Sequence, residues 1–90
     1  MSKTIWKFEL ATVDFQTIRM PEGAELLTVQ LQNGLPCLWA LVDPASKIDL
    51  VNIDIFGTGH QMSEGKRNYI GTYQLMGGGL VFHVFQNFNS

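Results

Sequence analysis

One loop of the chain concentrates residues that can bind an anion. Residues 57–61 read GTGHQ and follow the strand-like run VNIDIF. Glycines can turn backbone N–H groups toward an anion, and Thr58 and His60 can add side-chain donors. Lys66 and Arg67 follow in the same loop and can neutralise a phosphate through charge-assisted hydrogen bonds. We therefore predict Thr58, His60, Lys66 and Arg67 as ligand-binding residues.

The same loop also has a simpler interpretation. Gly57 and Gly59 suit a turn that ends a strand, because glycine adopts positive φ at no steric cost. A phosphate-binding loop of the P-loop type needs a helix directly after its glycines, and no helical pattern follows here. A plain turn and an anion-binding loop are therefore both open interpretations of this segment.

Two further side chains are candidates for ligand contact. His83 lies between apolar neighbours on a predicted strand, where it is either a functional imidazole or a structural one hydrogen-bonded to Thr72 or Gln74. Trp39 falls on the strand face that points away from the aliphatic side chains. It therefore either fills a subunit interface or stacks on the flat ring of a ligand. We predict His83 and Trp39 as ligand-binding residues.

Metal binding and covalent catalysis have little support in the sequence. His60 and His83 are the only imidazoles, and no spacing of Cys, Asp or Glu completes a ligand set. Cys37 lies between Pro36 and Leu38 on a strand, where a packed and inert thiol is expected. A nucleophile would also need a base and an orienting group beside it. We therefore predict no catalytic residue, no metal ligand and no cofactor.

The elements that position these residues are strands. Apolar and polar residues alternate with period two through most of the chain, and β-branched and aromatic residues dominate. Turn-forming residues occupy 21–25, 43–46 and 57–68. The predicted strands cover residues 3–10, 15–20, 25–32, 36–42, 48–56, 69–76 and 80–88. One all-β domain spanning 1–90 follows, a small antiparallel sandwich or barrel of about seven strands.

The first predicted hairpin turns at Asn33-Gly34, a dipeptide that suits a two-residue type I′ turn. Leu31 then pairs with Pro36 at a position without ladder hydrogen bonds, so the missing N–H of the proline does no harm. The expected core face holds Leu27, Val29, Leu31, Leu38 and Val42. The second face holds Thr28, Gln30, Cys37, Trp39 and Leu41, and is therefore both apolar and polar.

The second predicted hairpin turns at Gly77-Gly78-Gly79. With a two-residue loop, one face carries Tyr73, Leu75, Leu80, Phe82 and Val84, and the other carries Ile70, Thr72, Gln74, Val81, His83 and Phe85. A three-residue loop would reverse this pairing. Both hairpins thus have a core face and a mixed second face, which is typical of subunit interfaces and ligand platforms.

The composition indicates self-association. The 90 residues are 46% hydrophobic and only 16% charged, whereas charged residues usually make up roughly 25–35% of a domain surface. A chain of this size buries only roughly 60–65% of its unfolded surface. We therefore expect a homo-oligomer, in which apolar faces pack against other copies. The net charge of −2 argues against duplex nucleic acid as a partner.

Cysteine usage and the N-terminal segment indicate a compartment. Cys37 is the single cysteine, so no internal disulfide can form, which is typical of a reducing cytoplasm. The segment MSKTIWKFEL lacks the long apolar core and cleavage site of a secretory signal. No stretch approaches about 18 uninterrupted apolar residues. We therefore expect a cytoplasmic protein without a membrane partner.

Several segments resemble one family. KTIWKFEL, MPEGAELLTVQLQNGLPCLWALVDP, GTGH, YIGTYQ and GGGLVFHVF together resemble small proteins encoded by tailed bacteriophages. The resemblance covers most of the chain, with 45–55 and 61–68 the most individual stretches, and it carries no catalytic residues. It implies a phage protein in the cytoplasm of the infected bacterial host. Small phage accessory proteins often counter host defence, and several are homo-oligomers that hold nucleotide signals between subunits.

The leading hypothesis is therefore a non-enzymatic phage accessory protein that sequesters a host immune nucleotide signal. In this anti-defence hypothesis an aromatic platform and the GTGH loop would share the base and the phosphate in an intersubunit pocket. One alternative is a protein-binding inhibitor of a host defence enzyme, which needs a flat apolar patch of several hundred Å² rather than a deep pocket. A structural virion component is the other alternative.

Overall fold

The computed structural model describes residues 2–88 of the chain. Its strands are β1 (Thr4–Glu9), β2 (Phe15–Pro21), β3 (Glu25–Gln32), β4 (Leu35–Val42), β5 (Ile48–Gly57), β6 (Arg67–Leu75) and β7 (Leu80–Asn87). One short 3-10 turn, Met76–Gly78, lies between β6 and β7. The predicted all-β fold of seven strands is confirmed. Within residues 2–88, no helix has the length and apolar character needed to cross a membrane.

The strands form two antiparallel sheets, one ordered β1-β4-β3 and the other β2-β5-β7-β6. Alternate side chains of each sheet point into a shared core. The three-stranded sheet contributes Val29, Leu38, Ala40 and Val42, and the four-stranded sheet contributes Met20, Ile53, Ile55, Tyr73 and Val84. The molecule measures 42 × 32 × 15 Å. Its thin dimension suits two sheets stacked about 10 Å apart, as in a β-sandwich.

The hairpin between β3 and β4 has the predicted turn. Asn33 and Gly34 both adopt positive φ, 52° and 79°, as a type I′ turn requires. Leu31 pairs with Pro36, and Thr28 pairs with Trp39, as expected from that turn. Trp39 therefore lies on the outer face of the three-stranded sheet, away from the core.

The prediction that Leu27 belongs to the core was wrong, because β3 contains a bulge. The register shifts between Leu26 and Thr28, so Ala40 pairs with Leu26 instead of Leu27. Leu26 packs against the core, whereas Leu27 remains 40% exposed. Leu31 is exposed to the same extent although its pairing was predicted correctly, since it lies beyond the last buried residue of its strand.

The hairpin between β6 and β7 has a longer turn than predicted. Leu75 pairs with Leu80, so the loop has the four residues 76–79 rather than two. Two and four are both even, and the predicted alternation of faces therefore holds. Tyr73 and Val84 are buried in the core, and His83 pairs with Thr72 on the opposite face.

The prediction for Ile70 was wrong for the same reason as that for Leu27. The register of β6 shifts between Tyr69 and Gly71, and Ile70 packs against the core. Tyr69 takes the place opposite Phe85 on the outer face. A bulge adds one residue to a strand and reverses the alternation beyond it, which the sequence pattern alone did not reveal.

The two sheets approach each other most closely where β6 crosses β3. A Cβ atom on Gly71 would lie 3.1 Å from the backbone nitrogen and 3.2 Å from the carbonyl oxygen of Val29. Both bulges lie next to this contact, at Leu27 in β3 and Ile70 in β6. We call the line of contact between β3 and β6 the seam. Glycine at position 71 is what allows the two backbones to touch there.

Candidate functional site

Residues 57–60 form a tight β-turn at the end of β5. The His60 amide donates to the Gly57 carbonyl at 3.0 Å, and the Thr58 amide donates to the Val81 carbonyl at 3.1 Å. Gly59 has a φ of +85°, which the third residue of a type II turn requires. Two of the amide donors that an anion cradle would use are therefore already bonded within the protein.

The His60 ring folds back onto the same turn. A Cβ atom on Gly57 would lie 2.9 Å from the Cε1 atom of His60. His60, Gly57 and Phe82 line two small cavities of about 230 and 50 Å³. Neither Lys66 nor Arg67 lines either cavity. These two cavities therefore do not join His60 with either predicted cationic residue.

Arg67 is held in a buried ion pair on the outer face of the four-stranded sheet. Its Nε donates to Asp54 Oδ2 at 2.7 Å, and the two side chains are only 9% and 7% exposed. Its other two guanidinium nitrogens donate to the carbonyl and hydroxyl oxygens of Ser63, at 2.6 and 2.9 Å. The guanidinium also lies 5.1 Å from the centre of the Phe56 ring. Arg67 therefore fixes the loop before β6 to the sheet and has few donors left for a phosphate.

His83 lies in a chain of hydrogen bonds on the same outer face. Its Nε2 is 2.7 Å from Thr58 Oγ1, and its Nδ1 is 3.0 Å from Thr72 Oγ1. The Thr72 hydroxyl also bonds the Tyr69 hydroxyl. Of the two partners that the structural interpretation of His83 allowed, Thr72 and Gln74, the structure shows Thr72. A neutral imidazole fits this chain by donating at one nitrogen and accepting at the other, so the ring orientation is fixed.

Three aromatic rings lie beside this chain. The centre of the Phe85 ring is 6.0 Å from that of Phe56 and 5.5 Å from that of Tyr69, in edge-to-face arrangements. Tyr69 is 59% exposed, yet the ring contact and the bond to Thr72 hold it in place. When a ligand stacks on a ring that is already fixed, binding loses less side-chain conformational entropy. We call Tyr69, Phe85, Thr72 and His83 the platform.

The two remaining predicted residues lie away from the platform. Lys66 is exposed, and its carbonyl accepts the amide of Phe88 at 3.0 Å. Trp39 is half-buried on the outer face of the three-stranded sheet, where it pairs with Thr28. Because the two outer faces point in opposite directions, Trp39 and His83 of one chain cannot contact the same small ligand.

A groove of about 450 Å³ opens beside Tyr69 at the seam. Its lining comes from the start of β3, the start of β6 and the end of β7: Ala24, Glu25, Leu26, Asn68, Tyr69, Ile70, Gln86 and Phe88. The two bulges lie at or next to this lining. Sequence reasoning missed the groove because three separate segments build it. It also missed Tyr69, because strict alternation puts Ile70 on that face.

The whole chain matches one protein family. A family model described as a domain of unknown function, DUF7352, matches residues 1–90. The chain belongs to the DUF7352 family. No curated protein and no solved structure matches it.

The platform presents groups that can form hydrogen bonds and stack on a ring. Among residues 2–88, no group of three or more His, Cys, Asp or Glu side chains could hold a metal ion. The Cys37 thiol is buried and donates to the Leu35 carbonyl at 3.5 Å. The platform, by contrast, offers an exposed ring beside hydroxyl and imidazole groups. It is the best candidate site that the described residues present.

Proposed function

We propose that this DUF7352 protein is a non-enzymatic, phage-encoded binding protein that sequesters a nucleotide-type signal in the cytoplasm of the infected host. The proposal rests on one observation about Tyr69. Its ring is exposed to solvent and is nevertheless held in place by Phe85 and Thr72. An aromatic ring on a sheet face is a general platform for bases, each stacked base contributing about 1–3 kcal/mol.

The hydrogen bonds of His83 and Arg67 support ligand binding rather than catalysis. Both ring nitrogens of His83 are hydrogen-bonded to threonine hydroxyls. The Arg67 guanidinium is bonded to Asp54 and Ser63. These groups fix the shape of the platform, and a ligand would meet a rigid surface that already has its hydrogen bonds in place.

Self-association is part of the proposal. Exposed apolar side chains lie on both outer faces, with Ile5 on the three-stranded sheet and Leu50 on the four-stranded sheet. Trp39 can join a ligand at the platform only from a second subunit. We expect a dimer or larger at micromolar concentration, as measured by light scattering. A monomer of about 10 kDa across that range would contradict the intersubunit pocket.

The direct test of sequestration is ligand release. The protein is incubated with a panel of nucleotide signals, separated from free ligand and denatured, and the released molecules are identified. Sequestration predicts release of an unaltered nucleotide. Release of a converted product would show an enzyme instead, and release of nothing would contradict nucleotide binding.

Variants locate the binding surface in the same experiment. Tyr69→Ala should lower nucleotide affinity roughly 5–150-fold, which corresponds to one lost stacking contact of about 1–3 kcal/mol. Phe15→Ala is the matched control, because Phe15 is also an exposed ring on this outer face but lies on the edge strand β2. Equal affinities for the two variants would contradict a binding role of Tyr69.

An exposed apolar patch favours a second candidate function, inhibition of a host protein. Phe15, Ile48 and Leu50 are exposed on the outer face of the β2–β5 pair, and β2 is an edge strand. If this patch blocks a host enzyme, Leu50→Asp should abolish protection of the phage in a defended host while Tyr69→Ala preserves it. Sequestration at the platform predicts the reverse outcome in the same infection assay.

A further inference from the structure

The free edge of the three-stranded sheet is formed by β1, which pairs only with β4 among the strands of residues 2–88. The Leu10 amide donates to the Pro36 carbonyl at 2.9 Å. Backbone groups alternate in direction along a strand, so the even-numbered residues of β1 bond β4. The N–H and C=O groups of Ile5, Lys7 and Glu9 therefore point away from the sheet, where the described chain places no further strand.

The edge of β1 lacks the features that commonly protect a free strand from pairing. Free edges are often blocked by proline, by a bulge or by a charged side chain. The six residues of β1 contain no proline, and their register with β4 is regular. The strand does carry Lys7, but its ammonium reaches across β4 and donates to Gln32 Oε1. That charge therefore lies over the sheet, and the edge stays open.

The side chains of β1 also indicate an absent neighbour. Trp6 pairs with Ala40 on the core side of the sheet. Ala40 is fully buried there, yet Trp6 is 38% exposed. Thr4, on the same side, is exposed as well. This part of β1 therefore extends beyond the cover of the four-stranded sheet, and a strand added to the edge would place a side chain against the indole ring.

A second copy of β1 is a chemically matched occupant of this edge. An antiparallel partner must pair residues whose backbone groups point outward, and a two-fold axis at Trp6 meets that condition. Ile5 then faces Lys7 of the second copy, and Lys3 faces its Glu9. Both Lys3 and Glu9 are exposed, and alternation places them on the same outer face. Opposite charges directly across two strands stabilise the pairing.

The neighbouring registers of the same strand are less favourable. An axis at Lys7 sets that cation against its own copy, which is destabilising. An axis at Phe8 needs Ala11 to continue the ladder, but the amide and the carbonyl of Ala11 are both bonded to the Gln16 side chain. The axis at Trp6 is therefore the register that charge and backbone both favour.

We infer that two copies of the chain pair antiparallel through the free edges of β1, with the two-fold axis at Trp6, into one continuous sheet. The inference rests on the self-association in the proposed function and adds its surface. The outer faces of both three-stranded sheets then point to one side of the dimer, whereas the two platforms lie on the opposite side and stay exposed. A Trp39 side chain that joins a platform must therefore come from a copy outside this dimer.

Charge reversal tests this pairing. Lys3→Glu and Glu9→Lys each set like charges opposite one another at two symmetry-related positions, and each should raise the dimer dissociation constant roughly tenfold. Analytical ultracentrifugation of the full chain measures the constant, and melting curves check that each variant folds. Glu25→Lys is the matched control and should leave the constant unchanged. It makes the same charge change at an exposed residue of the same outer face, but on β3.

Mixing the two variants tests the register directly. In an equimolar mixture of Lys3→Glu and Glu9→Lys chains, every charge at these two positions faces its opposite in a heterodimer. Heterodimers should therefore form with a dissociation constant close to that of the wild type. Rescue in the mixture requires residues 3 and 9 to face one another, which no other register of β1 provides. A mixture that associates no more tightly than either variant alone would overturn the inference.

The outcomes separate this inference from the proposed function. If the chain dimerises and charge reversal on β1 has no more effect than Glu25→Lys, pairing through β1 is refuted, and self-association through another surface stands. If the wild type is a monomer across micromolar concentrations, pairing through β1 is refuted together with self-association. Nucleotide sequestration is then judged by the ligand-release experiment, which does not depend on β1.

Discussion

The outer faces of the two sheets follow the same alternating sequence pattern but differ in how their polar residues are used. On the four-stranded sheet, the Asp54–Arg67 ion pair and the hydrogen bonds of His83 join side chains from several segments. On the three-stranded sheet, Glu9 and Gln30 are exposed to solvent. There the exposed Lys7 ammonium also donates to Gln32 Oε1, at 2.5 Å. One face thus carries a network that includes a buried ion pair, and the other carries a hydrogen bond exposed to solvent.

The loop before β6 accounts for much of this difference. Arg67 binds Ser63 of that loop, which places its guanidinium and the Asp54 carboxylate out of contact with most of the solvent. Polar groups removed from water must find partners within the protein, or their burial costs several kcal/mol. Period-two alternation therefore shows which residues share a face, but a covering loop decides whether their polar groups must pair.

The largest expected effect comes from breaking the buried ion pair. Asp54→Ala leaves the Arg67 charge without its carboxylate and should lower the free energy of unfolding by about 3–5 kcal/mol. Urea unfolding measures the change. The matched control is Glu22→Ala, because Glu22 forms an exposed ion pair with Lys47, in which the Lys47 and Glu22 side chains are 81% and 52% exposed. That variant should cost about 0–1 kcal/mol, and similar costs for both would contradict a structural role of the buried pair.

A substitution at the seam should cause the next largest loss in the free energy of unfolding. Gly71→Ala would place a Cβ atom against the backbone nitrogen and oxygen of Val29, and backbone cannot easily move away. We expect a loss of about 2–3 kcal/mol in the free energy of unfolding, typical of overpacking.

Gly57→Ala is the comparison for that prediction. A Cβ atom at Gly57 would meet the His60 ring, at 2.9 Å, and that ring lies on an exposed residue that can swing away. The cost should be below about 1 kcal/mol. If the two glycine variants unfold at the same urea concentration, the seam is not held by backbone contact.

A substitution in the turn between β3 and β4 should lower the free energy of unfolding somewhat less than the seam variant does. Gly34→Val forces a β-branched residue into a φ of 79° and should cost about 1–3 kcal/mol. Asn33→Gly is the control, since glycine accepts the φ of 52° at that position and the change should cost less than about 1 kcal/mol, through the greater freedom of glycine in the unfolded chain. An unchanged melting temperature for Gly34→Val would mean that the turn relaxes to another type.

Alternation and turn chemistry were sufficient to predict most of the fold. Asn33-Gly34 set the pairing of Leu31 with Pro36, and glycines between β6 and β7 marked the second turn. The bulge at Leu27 was not predictable, because nothing in the local sequence separates it from a paired residue. The bulge at Ile70 had one signal that the prediction did not use, since Gly71 is an isolated glycine inside a strand pattern. Both bulges arise where β6 must cross closely over β3, which is a tertiary requirement.

The candidate site was less predictable than the fold. Thr58 and His83 were expected to bind ligand, and the structure joins them by a hydrogen bond. Arg67 looked like a loop cation, but its charge is paired with Asp54, a residue distant in sequence. The position of Tyr69 on the outer face could be assigned only once the bulge at Ile70 was known. Sequence spacing indicates which residues can do chemistry, whereas partners from other strands decide whether they are still available for it.

The smallest expected effect concerns Tyr73, on the core side of the four-stranded sheet. Its hydroxyl lies 2.7 Å from Thr12 Oγ1, in the loop between β1 and β2. Burial raises the pKa of Tyr73 above its usual 10.0, although the hydrogen bond to Thr12 lowers it in part. The folded protein therefore keeps the phenol proton at a pH where the unfolded chain has lost it.

The pH dependence follows from that difference in proton binding. Below about pH 10 both states are protonated and the contribution is fully present. As the pH rises above 10 toward the raised pKa of the folded state, the unfolded chain binds fewer protons and the free energy of unfolding decreases. Tyr73→Phe should lose about 1 kcal/mol at neutral pH with its hydrogen bond but decline less steeply above pH 10. Urea unfolding between pH 8 and 11 measures both slopes, and parallel curves for the two proteins would show that Tyr73 does not contribute to the alkaline loss.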